Sequence, residues 1–178
     1  MTLLRHLLSI ALLPATVTLV IPARIITTAG SVHPGWGLNF PWQVLPMLLG
    51  IFFIAIGLFL LVNTIRMFAK IGRGTLAPWD PTQRLVVNGV YRYVRNPMIS
   101  GVLFILLGEA ALFGSRPLFN WFLIFFLINA IYIPLSEERG LQRRFGNDYR
   151  LYKANVPRWI PRLRPWEIDD RGPDSARE

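Results

Sequence analysis

The chain has 178 residues, of which 53% are hydrophobic and only 16% charged, with a net charge of +9 and no cysteine. A soluble domain is nearer a quarter charged, so the composition favours lipid as solvent, and the missing thiols exclude disulfides, thiolate metal sites and a cysteine nucleophile. The basic residues sit between long apolar runs, which favours a membrane surface over nucleic acid as the source of the positive balance; with only His6 and His33 as imidazoles, no metal site is expected.

Four apolar runs follow in chain order. A helix needs roughly 20 apolar residues to cross a bilayer core. The first run, Leu7–Ile21, is short, contains Pro14 and lies between Arg5 and Arg24. A cleaved signal peptide is its rival reading, but no small-x-small cleavage site follows, so an uncleaved helix is preferred. The second run, Val44–Met67, has no charge before Arg66. The third, Pro97–Phe113, holds one charge, Glu109, and the fourth, Pro117–Leu135, holds none. Gly114, Ser115 and Arg116 alone separate the last two, which predicts a tight antiparallel hairpin.

With four spans, one side of the membrane receives seventeen Lys and Arg residues and the other only Arg24 and Arg116. Positive loops stay cytoplasmic, so both termini, the 66–96 loop and the C-terminal segment are expected there. The expected fold is an all-α integral membrane domain over residues 1–178, with about four transmembrane helices and a cytoplasmic C-terminal amphipathic helix.

Two segments on the basic side exceed what topology needs. The first, Pro78–Gly101, has turn signals at Pro78, Asp80, Pro81 and Asn88-Gly89, then Tyr91, Arg92, Tyr93 and Arg95. Asn96 suits an N-cap and Pro97 a first helical turn. The second, Ser136–Pro165, opens on Glu137-Glu138 at a helix exit, where the dipole favours cations instead, so a cationic partner is expected; Arg139 and Arg143 are the plain candidates. Leu141, Phe145, Tyr149 and Tyr152 then recur at helical spacing with a basic opposite face, suited to a membrane interface. Gly72-Arg73-Gly74 reads as a flexible turn. Inside the spans, Glu109 lies roughly 18 Å along the helix from Pro97; it is read as having a structural partner, as Asn63 and Asn129 are read as helix–helix contacts.

Together these segments resemble the isoprenylcysteine carboxyl methyltransferase and phospholipid N-methyltransferase superfamily of integral membrane enzymes. The resemblance runs from about Thr82 to Pro161. It is carried by Gly89-Val90-Tyr91, Arg95-Asn96-Pro97-Met98-Ile99-Ser100-Gly101, Glu137-Glu138, Phe145-Gly146 with Tyr149 and Tyr152, and Val156-Pro157. The family pattern at the membrane entry is Arg-His-Pro-x-Tyr-x-Gly; Asn96 replaces its His and Ile99 its Tyr. The resemblance implies S-adenosyl-L-methionine as methyl donor, bound within residues 78–165. The implied ligands are Gln83, Arg84, Leu85, Val86, Tyr91, Asn96, Pro97, Met98, Ile99 and Glu137, with Arg95, Glu138 and Tyr149 as further candidates; no residue is assigned as a catalytic base. Glu137 suits the donor's ammonium group. The implied acceptor is a lipid or another lipophilic small molecule reached from the bilayer. A prenylcysteine acceptor is disfavoured, because Ile131-Tyr132-Ile133-Pro134 lacks the arginine of that branch. A sterol-reductase-like NADPH enzyme and a non-enzymatic membrane subunit are the other readings.

Overall fold

The first helical stretch, α1, covers residues 12–29 and includes a π-helical turn at Thr16–Val20 before its regular part, Ile21–Ala29. The structure is a computed structural model, and its described residues are 12–30, 32–71, 85 and 87–167, with side chains 68–71 not included. The start of the first apolar run, Gly72-Arg73-Gly74, Pro78, Asp80 and Pro81, and the candidate ligands Gln83, Arg84 and Val86 lie outside the described residues.

α1 extends beyond the predicted run, through Pro22 to Ala29, and ends on Gly30 in the left-handed conformation. The proline is absorbed by the π turn. The Ile21 amide reaches back five residues to the Thr16 carbonyl. In that register the Val17 carbonyl would need the amide of Pro22, which does not exist. The Trp121 indole of a neighbouring helix donates to this carbonyl instead, at 3.2 Å. A lipid-embedded backbone has no water to fall back on, so one indole both satisfies the kink and ties α1 into the bundle.

A short 3-10 turn, Pro34–Gly37, leads to α2, Val44–Ile71, whose 28 residues span roughly 42 Å. After a second 3-10 turn at Gly89–Arg92 comes α3, Pro97–Phe113. Gly114 in left-handed conformation and Ser115 turn the chain into α4, Arg116–Tyr132, which gives the predicted hairpin. A π turn at Ile133–Glu137 continues α4 into α5, Glu138–Asn155. Every described element is helical, and three stretches are long and apolar enough to cross a membrane: Leu12–Gly37, Val44–Met67 and Arg116–Asn155. The chain is thus a multi-pass membrane protein.

α3 is the most enclosed of the apolar helices. Ser100, Gly101, Val102, Leu103, Ile105, Leu106, Gly108 and Ala110 are all buried. Surrounded by protein, it does not need full bilayer length. Its closest partner is α2, and glycine sets the distance. Gly50 and Gly57 on α2 oppose Gly108 and Gly101 on α3. A seven-residue spacing is about two turns, so each pair lies on one face, and the antiparallel helices match pair to pair. A Cβ on Gly57 would lie 2.6 Å from the Gly101 carbonyl oxygen, and one on Gly108 would lie 2.6 Å from that of Gly50. Small residues allow such approach where lipid offers no hydrophobic driving force. Phe53 and Phe104 stack beside the seam, with ring centroids 6.0 Å apart.

The polar residues inside the spans differ from expectation. Asn63 and Asn129 make no bond to another helix among the described residues; each Nδ2 donates to a carbonyl one turn back, Phe59 at 2.7 Å and Phe125 at 2.8 Å. That local bond satisfies the amide within its own helix. Glu109 lacks the expected structural partner at Oε2, which is buried and unbonded among the described residues.

Candidate functional site

The two segments singled out in the sequence meet at the α3 N-terminal end of the bundle. Three backbone bonds sew the 92–95 stretch to the C-terminal segment: the Arg95 amide to the Pro157 carbonyl, the Arg162 amide to the Tyr93 carbonyl, and the Trp166 amide to the Arg92 carbonyl, each 2.9 Å. The Tyr152 hydroxyl donates to the Tyr91 carbonyl at 2.8 Å.

The glutamate pair divides its roles. Glu137 is exposed and Glu138 is buried. Glu138 collects three cations from three parts of the chain, each at 2.8 Å: Arg95 ahead of α3, Lys153 late in α5, and Arg158 beyond it. The cationic partner expected of the pair is therefore this trio; Arg139 and Arg143 both lie at exposed or half-exposed positions without an ion pair among the described residues.

α5 does not lie as one straight amphipathic rod. Gly146 breaks it with φ 54° and ψ −122°, a conformation open to glycine and closed to most residues. The break folds the apolar stripe inward. Tyr149 and Tyr152 bury against Val87 and Val156, with Leu85, Leu141, Phe145 and Trp166 packed around them. Tyr149 and Tyr152 of the stripe thus serve an internal core, while Leu141 and Phe145 stay partly exposed at its edge.

Electrostatics follow from this packing. Burial would raise the Glu138 carboxyl, but hydrogen bonds from Arg158 and Lys153 and the charge of Arg95 hold it below its ordinary 4.5. Burial and the Glu138 charge push the Tyr149 phenol up to about 12, against the pull of Arg95 within hydrogen-bonding reach. A depressed carboxylate stabilises the fold above its unfolded pKa, and that contribution disappears as pH falls through the folded value. The melting temperature is expected to fall between pH 5 and pH 3 by more in the native chain than in a Glu138→Gln variant, measured in the same detergent.

Asn96 occupies the predicted cap position, but its side chain makes no capping bond. Its Nδ2 is buried without a partner among the described residues, as are Ser100 Oγ and Arg95 Nε. Buried polar groups are rarely left unpaired, and these three cluster around one turn. The structure therefore brings together Leu85, Tyr91, Arg95, Asn96, Pro97, Met98, Ile99, Glu137, Glu138 and Tyr149 at one end of the bundle. Sequence reasoning passed over Ser100, Lys153 and Arg158. The available signal was Arg158 following Val156-Pro157: a cation held by a rigid dipeptide can point back at Glu138.

Over 80 residues the chain is 38% identical to a protein-S-isoprenylcysteine O-methyltransferase of Schizosaccharomyces pombe, a stretch covering 43% of the chain and 33% of that protein. Over 77 residues it is 34% identical to methanethiol S-methyltransferase 2 of Bradyrhizobium diazoefficiens, covering 42% of the chain and 27% of that protein. The matched stretches span about a third or less of these relatives. No solved structure matches the chain. Residues 45–148, more than half the chain, match the phospholipid methyltransferase family, from the start of α2 through the first half of α5. The chain belongs to the phospholipid methyltransferase family of membrane methyltransferases.

Proposed function

We propose that the chain transfers a methyl group from S-adenosyl-L-methionine to a lipid or other membrane-embedded acceptor, at the end of the bundle where α3 begins. The observation that carries this reading is the first turn of α3. Asn96 Nδ2, Ser100 Oγ and Arg95 Nε are buried there without partners among the described residues, directly beside the Arg95–Glu138 junction.

The residues fit the donor. Glu137, exposed next to the ion-paired Glu138, offers a carboxylate for an ammonium group. Asn96 and Ser100 offer polar contacts to a carboxylate or ribose, and Tyr91, Met98 and Ile99 supply apolar wall beside them. Gln83, Arg84 and Val86 extend the proposed ligand set along the chain. When bound, the donor supplies an electrophilic methyl group on a sulfonium.

Positioning then does most of the chemistry, because in-line displacement needs the nucleophile aligned more than it needs a proton acceptor. Arg95, Lys153 and Arg158 fix Glu138, which fixes the start of α5 and with it Glu137. Asn96 cannot titrate as the family His can, so its role is a hydrogen bond and shape. The acceptor enters from the bilayer, and the basic end faces the cytoplasm, as the charge bias of seventeen to two supports. The relatives named above act on oxygen and sulfur, so the acceptor atom need not be an amine nitrogen.

The test is titration of the purified chain with S-adenosylhomocysteine. Tight binding is expected, with NADPH inert, and Glu137→Ala is expected to weaken it about tenfold or more, the scale of one charged hydrogen bond. Unchanged binding in a folded Glu137→Ala variant would remove Glu137 from the site. Lipid extract incubated with protein and isotope-labelled donor, read by mass spectrometry, then identifies the acceptor.

A further inference from the structure

At the other end of the bundle, where α3 turns into α4, Trp36, Leu107, Ala111, Arg116, Phe119 and Asn120 line a cavity of about 460 Å³. We propose that this cavity seats an anionic phospholipid, its phosphate held by Arg116 and its upper chain carbons against Leu107, Ala111 and Phe119. The proposal is independent of the methyl-transfer site, which lies a full helix length away.

Three observations carry it. First, the lining has the polarity of a lipid headgroup region: a guanidinium, an amide and an indole over an apolar floor. Arg116 makes no ion pair among the described residues. It is one of only two cations, with Arg24, predicted on this face. Arginine matches phosphate oxygens with a planar fork.

Second, the loop that carries Trp36 is fixed to the hairpin. The His33 amide donates to the Phe113 carbonyl at 2.9 Å, and the Trp36 amide to the His33 carbonyl at 2.7 Å. Gly114 passes so close to His33 that a Cβ has no room. Trp36 itself holds φ 59°, the single non-glycine residue with positive φ among the described residues. Bulky residues adopt that conformation only when their surroundings impose it, and here it sets the indole over the cavity.

Third, the flanks belong at a membrane interface. Phe40 is 77% and Trp42 70% exposed, close in sequence to Trp36 and at the start of a membrane helix. Tryptophan concentrates at headgroup depth, and Trp36 and Trp42 on this loop fit a cavity level with lipid phosphates.

Native mass spectrometry of the purified full chain in detergent tests this, with phosphatidylglycerol and phosphatidylcholine of matched acyl chains as probes. The native chain is expected to retain one phosphatidylglycerol at collision energies that strip phosphatidylcholine. Arg116→Gln is expected to reduce that retention about tenfold, Arg116→Lys to give an intermediate loss, and Trp36→Ala to reduce it with the charge intact. Arg24→Gln is the control and should leave it unchanged. Equal retention in Arg116→Gln, or equal loss in Arg24→Gln, would overturn the proposal. Displacement of the lipid by millimolar inorganic phosphate would also overturn it, in favour of a free-anion site. Circular dichroism and thermal melts establish folding, and the graded Arg116→Lys result decides the matter if Arg116→Gln does not fold.

Discussion

Glu138→Ala should destabilise the protein by about 3–5 kcal/mol, the usual cost of leaving a buried charge without its partner. The size follows from what the variant strands. Arg95 is 9% exposed and loses its hydrogen-bonded carboxylate, while Arg158 and Lys153 lose theirs together. Lys153 is nearly half exposed and recovers water; Arg95 does not. The loss is therefore expected to centre on Arg95, and Glu138→Gln, which keeps the shape and one acceptor oxygen, should cost less. A paired replacement, Arg95→Met with Glu138→Leu, should recover part of the loss, because it removes the stranded charge along with its partner. Reversible thermal or denaturant unfolding in detergent, run as a double-mutant cycle, measures each term. A cost under about 1 kcal/mol, the range of an exposed ion pair, would show that Glu138 is solvated and not a buried hub.

Gly108→Ala is the second change with a large expected effect. The added methyl would stand 2.6 Å from the Gly50 carbonyl oxygen, and both atoms belong to helix backbones that cannot rotate aside. Overpacking of this kind costs about 1–3 kcal/mol, and occasionally more. Gly57→Ala meets the same obstacle against Gly101 and should behave alike, whereas Gly140→Ala, with open space around it, should not destabilise. Leucine at position 57 or 108 should separate α2 from α3 and abolish a monodisperse fold on size exclusion. Chemical crosslinking between cysteines introduced on the two helices would report the separation directly.

How far the chain could be read before its structure differs from element to element. α2, α3 and the α3–α4 hairpin were legible because each is an uninterrupted apolar run with a recognisable stop: Arg66, Pro97 and the Gly114 turn. α1 was misjudged in length because Pro14 and Pro22 look like breaks, whereas a π turn and one indole from α4 carry the helix past them. The glycine seam was written in plain view as two pairs spaced by seven, but a spacing on one helix says nothing about which helix faces it. The Glu pair was seen as a site. Which member is buried depends on the π turn at Ile133–Glu137, whose register hydropathy does not reveal. Likewise the Tyr149 and Tyr152 stripe has the period of an interfacial helix. Only the Gly146 break, which turns it onto Val87 and Val156, makes it a core.

The stitching of residues 92–95 to residues 157–166 has a consequence for biosynthesis. The hairpin of α3 and α4 is synthesised, with its turn and its apolar surface, ahead of the segment that closes over its base. Arg95 must wait for Pro157 to accept its amide and for Arg158 to share its carboxylate. Insertion of the hairpin and closure over its base are thus separable events, and the second depends on residues 157–166. A chain inserted without residues 157–166 would keep its membrane anchor and leave the base of α3 open, with Arg95 lacking its backbone acceptor.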